Sequence, residues 1–131
     1  MILDNLLEFC KRDEHKNAFQ VKDLDSYIIY FLAHGLWDYV ERDGEIVGVA
    51  FARLIESRSD REFNWKPHQD KGDYLVIDSV VAFDKEVKKT LMESLNRIIR
   101  THNPKRVFMM RHEKWRELTH NLRSRMQWEQ E

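Results

Sequence analysis

The chain has 131 residues, of which 42% are hydrophobic and 34% are charged. These values are typical of one soluble domain spanning residues 1–131, and the few glycines and prolines exclude a low-complexity chain. No apolar run approaches the roughly 20 residues of a membrane span, so no membrane association is expected. Cys10 is the only cysteine and cannot form an intramolecular disulfide, which favours a reducing, cytoplasmic location.

The net charge of −1 conceals two halves of opposite sign. Residues 1–84 carry 10 Lys and Arg against 17 Asp and Glu, whereas residues 85–131 carry 12 against 6. An anionic ligand is therefore expected to meet the second half of the chain. The alternative is that the two signs mark two solvated faces of a single domain.

Two helices and a hairpin are predicted in the first half. The first helix has one apolar face, formed by residues at helical spacing: Leu3, Leu6, Leu7 and Cys10. Asp23 predicts the N-cap of a second helix, and Gly35 its end. Extended patterns follow over 36–42 and 45–55, joined by the turn signal Arg-Asp-Gly at 42–44. The second of these strands is apolar on both faces, which predicts a position inside a covered sheet.

A long polar segment from Glu56 to Gly72 follows the hairpin and contains two aromatic residues, Phe63 and Trp65. Loops of this length are commonly functional or mobile. One interpretation is a loop that binds a partner through Phe63 and Trp65. The other is an ordinary excursion whose aromatic side chains pack back on the domain.

The second half alternates strand and helix. Tyr74 to Phe83 predicts a strand that Asp78 interrupts, and Asp84 predicts the N-cap of the helix that follows. A strand is predicted over Val107 to Met110, and then a last amphipathic helix with apolar positions at Trp115, Leu118, Leu122 and Met126. The order α-α-β-β-β-α-β-α predicts an α/β domain with a mixed sheet and helices on both faces.

This order of elements, from about Asp23 to Trp128, resembles the GCN5-related N-acetyltransferase (GNAT) fold. Residues 43–50, Asp-Gly-Glu-Ile-Val-Gly-Val-Ala, are similar to its hairpin turn. Residues 75–82, Leu-Val-Ile-Asp-Ser-Val-Val-Ala, are similar to the strand that splays from its neighbour in the family. The resemblance implies an acetyl-CoA-dependent N-acyltransferase, in which an amine attacks the thioester directly.

The family's phosphate-binding turn, Gln/Arg-x-x-Gly-x-Gly/Ala, is replaced here by Asp84-Lys-Glu-Val-Lys-Lys. Phosphate must approach the main chain at a helix N-terminus, and the carboxylates of Asp84 and Glu86 compete for the same N–H donors. Nearby lysines partly offset this repulsion. If coenzyme A binds, the resemblance implies contacts with Val80, Val81, Lys85, Val87, Lys88 and Lys89.

Asp78 is the carboxylate that the resemblance implies as general base, should the chain be active. The other interpretation is a buried aspartate bonded to backbone or to an arginine. The family's hydroxyl acid near the start of the last helix has no counterpart, because Trp115 and Leu118 stand there. This departure favours a domain without catalytic activity.

Other chemistries find less support in the sequence. No metal site is expected, because His112 and His120 match no metal-binding spacing. Nucleic-acid binding is an alternative, based on a basic stretch interspersed with Trp115 and Trp128: Lys105, Arg106, Arg111, Lys114, Arg116, Arg123 and Arg125.

Three functions therefore remain open. The first is a diverged, non-catalytic acetyltransferase-like domain that needs no cofactor and acts on a protein partner or as a homo-oligomer. Because small diverged members of the family occur in bacteriophages, a phage accessory or virion-assembly role, in host cytoplasm or virion, is a specific version of it. The second is an N-acyltransferase that uses acetyl-CoA with an unconventional phosphate loop. The third is a nucleic-acid-binding accessory protein.

Overall fold

A computed structural model of the chain describes residues 2–15, 19, 23–56, 68–69, 71–111 and 114–118. The elements are α1 (Ile2–Cys10), a short 3-10 helix (Asp13–His15), α2 (Leu24–His34), β1 (Leu36–Arg42), β2 (Glu45–Ile55), β3 (Tyr74–Ala82), α3 (Lys85–His102), β4 (Arg106–Arg111) and β5 (Lys114–Glu117). The predicted bounds of the second helix and of both hairpin strands agree with α2, β1 and β2.

Within the described residues the strands form one five-stranded sheet in the order β1-β2-β3-β4-β5. β2 is antiparallel to both of its neighbours, β1 and β3; β3 and β4 are parallel, and β5 returns antiparallel to β4. The hairpin turn has positive φ at Asp43 (50°) and at Gly44 (81°). Aspartate and glycine tolerate this conformation, and a turn of this kind matches the right-handed twist of the two strands. The mixed sheet that the sequence predicts is confirmed.

Helices cover both faces of the sheet. Alternate residues of β2 point to opposite sides and are apolar on both, so each side of the strand contributes to a core. The core between the sheet and α3 is formed by aliphatic side chains of both: Ala50, Ala52, Leu54, Leu75, Ile77, Val87, Leu91, Leu95, Ile99 and Val107. The core between the opposite face of the sheet and the helices α1 and α2 includes three phenylalanines among its buried side chains: Leu6, Phe9, Ile28, Phe31, Val49, Phe51 and Val81. Each fully buried leucine or phenylalanine contributes roughly 1.5–3 kcal/mol relative to an exposed one, so the two layers fix the helices on the sheet.

The N-terminus of α3 follows the predicted signal, and its C-terminus is also capped. Asp84 is the N-cap, with its side chain accepting a hydrogen bond from Val87 N–H. Asn103 is the C-cap in left-handed backbone conformation (φ 45°), and its N–H donates to the carbonyl of Ile99. Pro104 follows and cannot continue the helix. The direct step from β3 into α3 brings the helix N-terminus to the end of the strand.

Residues 114–117, where the sequence pattern predicts the start of the last helix, form β5 instead. The strand pairs with β4 from Phe108 opposite Glu117 to Arg111 opposite Lys114. The Arg106 guanidinium donates two hydrogen bonds to the Glu117 carboxylate, at 2.8 and 2.9 Å. The free edge of β4 offers backbone partners that local helical spacing does not reveal. The rest of the predicted helix lies outside the described residues.

No helix in the described part of the chain is long and apolar enough to cross a membrane.

Candidate functional site

β3 and β4 diverge in the middle of the sheet. Their parallel pairing runs from Tyr74 opposite Arg106 to Ile77 opposite Met109. β3 then continues to Ala82, while β4 ends at Arg111. The ladder between β2 and β3 changes register at the same level, because Phe51 pairs with Ser79 but Ala52 pairs with Ile77. The strands therefore separate beside a β-bulge in which Asp78 is the extra residue.

The bulge gives the face covered by α1 and α2 two successive polar side chains. Asp78 accepts hydrogen bonds from Arg53 of β2, and the Ser79 hydroxyl lies 3.2 Å from the Tyr27 hydroxyl of α2. A regular strand would send these neighbouring side chains to opposite faces. We call Tyr27, Arg53, Asp78 and Ser79 the bulge cluster.

Asp78 and Arg53 form a buried ion pair. The Arg53 Nε lies 3.1 and 3.2 Å from the two carboxylate oxygens of Asp78. The side chains are only 6% and 11% exposed, respectively. Burial raises the pKa of Asp78 to about 6, and the Arg53 charge lowers it only in part. The interpretation of Asp78 as an aspartate bonded to an arginine is therefore confirmed.

Tyr27 supplies the hydroxyl of the bulge cluster. Its ring packs 4.9 Å from that of Phe31 and 6.0 Å from that of Phe51, centroid to centroid. Burial raises the pKa of Tyr27, and the negative charge of Asp78 raises it further. The phenol therefore stays protonated at neutral pH and can donate to Ser79.

The raised pKa of Asp78 predicts a pH-dependent stability. The folded protein holds the proton of the Asp78 carboxyl up to about pH 6, whereas the unfolded chain releases it near the ordinary aspartate pKa of 3.8. The group's contribution is thus complete below about pH 4 and is lost as the pH rises through about 6, a loss of roughly 3 kcal/mol. Urea unfolding of the wild type and of Asp78→Asn between about pH 4 and 7 measures it. The wild type should lose stability relative to the variant; a difference independent of pH contradicts the raised pKa.

The N-terminus of α3 lies at the end of β3, and the carboxylate of Asp84 caps it. Asp84 Oδ1 accepts from Val87 N–H at 2.9 Å. Arg42, at the end of β1, donates to both oxygens of Asp84 at 2.8 and 3.3 Å and to Glu86 at 3.4 Å. The hydrogen bonds from Arg42 and then from Val87 hold the pKa of Asp84 below its usual range. Two carboxylates thus stand where a helix N-terminus would attract an anion.

Comparison with known proteins identifies the architecture. No family model matches the chain, and no curated protein matches its sequence. Among solved structures, the loading GNATL domain of CurA from Lyngbya majuscula matches 82% of this chain, with a TM-score of 0.59 and 14% identity. The chain has a GNAT-like fold. It spans 59% of the matched CurA chain, and at this identity the likeness concerns the fold alone.

The residues predicted to contact coenzyme A occupy different environments in the GNAT-like fold. Val80 is half-buried beside the α3 core, whereas Val81 is buried against α1 and α2. The side chain of Val87 is 1% exposed. Three lysines lie on the first turns of α3, two of them exposed and the third half-buried: Lys85, Lys88 and Lys89. These contacts remain predictions, and Phe63 and Trp65 lie outside the described residues.

Sequence reasoning missed two arginines of the site. Arg53 stands in an otherwise apolar strand, and a buried guanidinium requires an acidic partner. That signal indicates a partner for Arg53 without saying which carboxylate it is. Arg42 precedes a tight turn, and nothing local indicates that it reaches the N-cap of α3. Within the described residues, no group of three or more His, Cys, Asp or Glu side chains is arranged to hold a metal ion.

Proposed function

We propose that this GNAT-like domain acts through contacts with another protein and does not transfer acyl groups from coenzyme A. The observation that carries the proposal is the Asp84 carboxylate at the N-terminus of α3, bonded to Val87 N–H and to Arg42. A pyrophosphate at this place must displace Asp84 from both partners. It must also approach the carboxylate of Glu86, which is exposed beside it.

Two exposed features agree with an interaction role. Phe83, which links β3 to the N-cap of α3, is 68% exposed, and Ile29 on α2 is 49% exposed. Single exposed apolar residues are common on monomers, so they support the proposal without identifying the surface. A homo-oligomer, a phage accessory or virion-assembly role and nucleic-acid binding stay predictions.

Titration with acetyl-CoA and CoA tests the proposal. We expect no saturable heat in isothermal titration up to millimolar ligand, because in the wild type the carboxylate of Asp84 already occupies the N-terminus of α3. The variant Asp84→Ser/Glu86→Gly keeps a capping hydroxyl and removes both carboxylates, so weak binding is expected to appear. Asp23→Ser, the equivalent change at the N-cap of α2, is the matched control and should not bind. Micromolar binding by the wild type overturns the proposal.

The second candidate is an acetyl-CoA-dependent N-acyltransferase, which the bulge cluster favours. A carboxylate with a pKa of about 6, located where β3 and β4 diverge, is suited to accept a proton from an attacking amine near neutral pH. In this function the amine nitrogen attacks the thioester carbonyl, its proton goes to Asp78, and the thiolate of coenzyme A leaves. Coenzyme A release from acetyl-CoA with a panel of amines, lost in Asp78→Asn, would support it; no release above the uncatalysed rate excludes it.

A further inference from the structure

β1 is an edge strand whose outer side faces no other strand among the described residues. The N–H of Tyr39 donates to the carboxylate of Asp38 at 2.8 Å and so points away from β2. Main-chain groups alternate in direction along an antiparallel strand, which turns those of Trp37 outward as well. The outer side of β1 therefore presents the N–H and C=O of Trp37 and the C=O of Tyr39 to an added strand.

The side chains beside this edge are suited to cross-strand contacts. Trp37 and Tyr39 are half-buried and stacked, with ring centroids 6.0 Å apart and planes at 21°. Aromatic side chains at an edge stabilise pairs with apolar residues of a neighbouring strand. Edges that are protected against pairing often carry lysine, proline or a β-bulge. β1 contains neither lysine nor proline, and its register shift between Val40 and Glu41 lies beyond Trp37 and Tyr39. The carboxylate of Asp38 accepts from one main-chain donor of this edge, the N–H of Tyr39, which is then not available to an added strand.

The charge at the hairpin end of this edge is acidic, whereas Arg97 of α3 lies beside Asp38 and is linked to it through Ser94. Three acidic residues are exposed at the hairpin end: Glu41 near the end of β1, Asp43 in the hairpin turn and Glu45 at the start of β2. The nearby Arg42 forms ion pairs with Asp84 and Glu86 and also interacts electrostatically with Asp43, so it offsets the acidic charge of the edge only in part. A second copy of the chain would bring the same acidic groups to this edge and be repelled. A basic partner is attracted.

We infer that β1 binds an extended, basic peptide segment of a partner protein as an additional strand. The partner's main chain pairs with Trp37 and Tyr39, its apolar residues pack on the two rings, and its lysines or arginines face Glu41, Asp43 and Glu45. This inference rests on the proposed function, since it names the surface and the partner chemistry of the same interaction role.

The test uses the whole chain and two synthetic peptides of about nine residues, the length of a strand. Both alternate valine with a charged residue, which is lysine in one and glutamate in the other. We expect the lysine peptide to bind at least about tenfold more tightly, with a salt-dependent affinity. In hydrogen exchange, the Trp37 amide is expected to slow by about tenfold when this peptide is bound. Equal binding of both peptides, or no change at Trp37, overturns the inference.

Charge reversal provides the matched control. Glu41→Lys should weaken the lysine peptide by about tenfold, whereas Glu8→Lys, the same change on the exposed side of α1, should leave its affinity unchanged. Equal effects of the two variants overturn the inference, as does self-association of the free chains in sedimentation together with slowed hydrogen exchange at the Trp37 amide. If the chain binds neither the peptides nor coenzyme A, only the inference about β1 is overturned. If it binds coenzyme A, the proposed function itself is overturned.

Discussion

Replacing Arg53 by methionine is expected to destabilise the protein by about 3–5 kcal/mol at neutral pH. The substitution leaves the Asp78 carboxylate buried without the guanidinium that lies 3.1 Å away. Because the variant should hold the proton on Asp78 to higher pH, the cost should be smaller at about pH 5 than at about pH 8. Urea unfolding at both pH values, followed by circular dichroism, measures the effect.

The double variant Arg53→Met/Asp78→Leu is the control for this prediction. Removing both charges eliminates the desolvation cost of the pair, so the double variant should regain most of the stability that Arg53→Met loses. Asp78→Leu alone should remain destabilised, because the guanidinium of Arg53 then lacks its Asp78 partner. A double variant no more stable than Arg53→Met would show that Arg53 stabilises the fold by contacts independent of Asp78.

Replacing Gly72 by alanine is expected to cost about 3 kcal/mol or more. A Cβ at this position would lie 2.5 Å from the backbone N of Ile55 and 2.7 Å from its C and O. Ile55 cannot move away easily, since it pairs with Tyr74 in the ladder between β2 and β3. Gly72 also donates its N–H to the carbonyl of Gln69, which fixes the start of β3. Thermal and urea unfolding should both report the loss.

Gly44→Ala is the matched control, because a Cβ there meets no atom within 4 Å but the backbone has a φ of +81°. It should cost only the conformational strain of a left-handed residue, about 1 kcal/mol. A larger effect at Gly44 than at Gly72 would contradict the close approach to Ile55. The pair separates steric exclusion from backbone preference.

Elements with local signals could be predicted from the sequence. The hairpin depends on Asp43 and Gly44, which accept positive φ, and α3 depends on the cap at Asp84. β5 could not be predicted, because Lys114–Glu117 is extended only where β4 offers its edge. Sequence spacing cannot show this, since backbone pairing with a distant strand overrides a short helical pattern.

The candidate site divides in the same way. Asp78 is identifiable in the sequence as a carboxylate in an apolar strand, and Asp84 as a cap at the start of a turn that lacks the glycines of the phosphate-binding motif. The bulge beside Asp78 depends on the register between β2 and β3. The arginines that bind the two carboxylates lie 25 residues away in one pair and 42 in the other.

The sequence by itself therefore determined the order of elements from α1 to β4 and the acidic character of the turn before α3. Caps, turns and hydrophobic periodicity act over a few residues, so they are legible in the chain. Only the tertiary structure decided that Asp78 is paired with Arg53 and has a pKa of about 6, and that Arg42 anchors Asp84 at the helix N-terminus. Burial and long-range pairing set these properties, and both exist only once the sheet has formed.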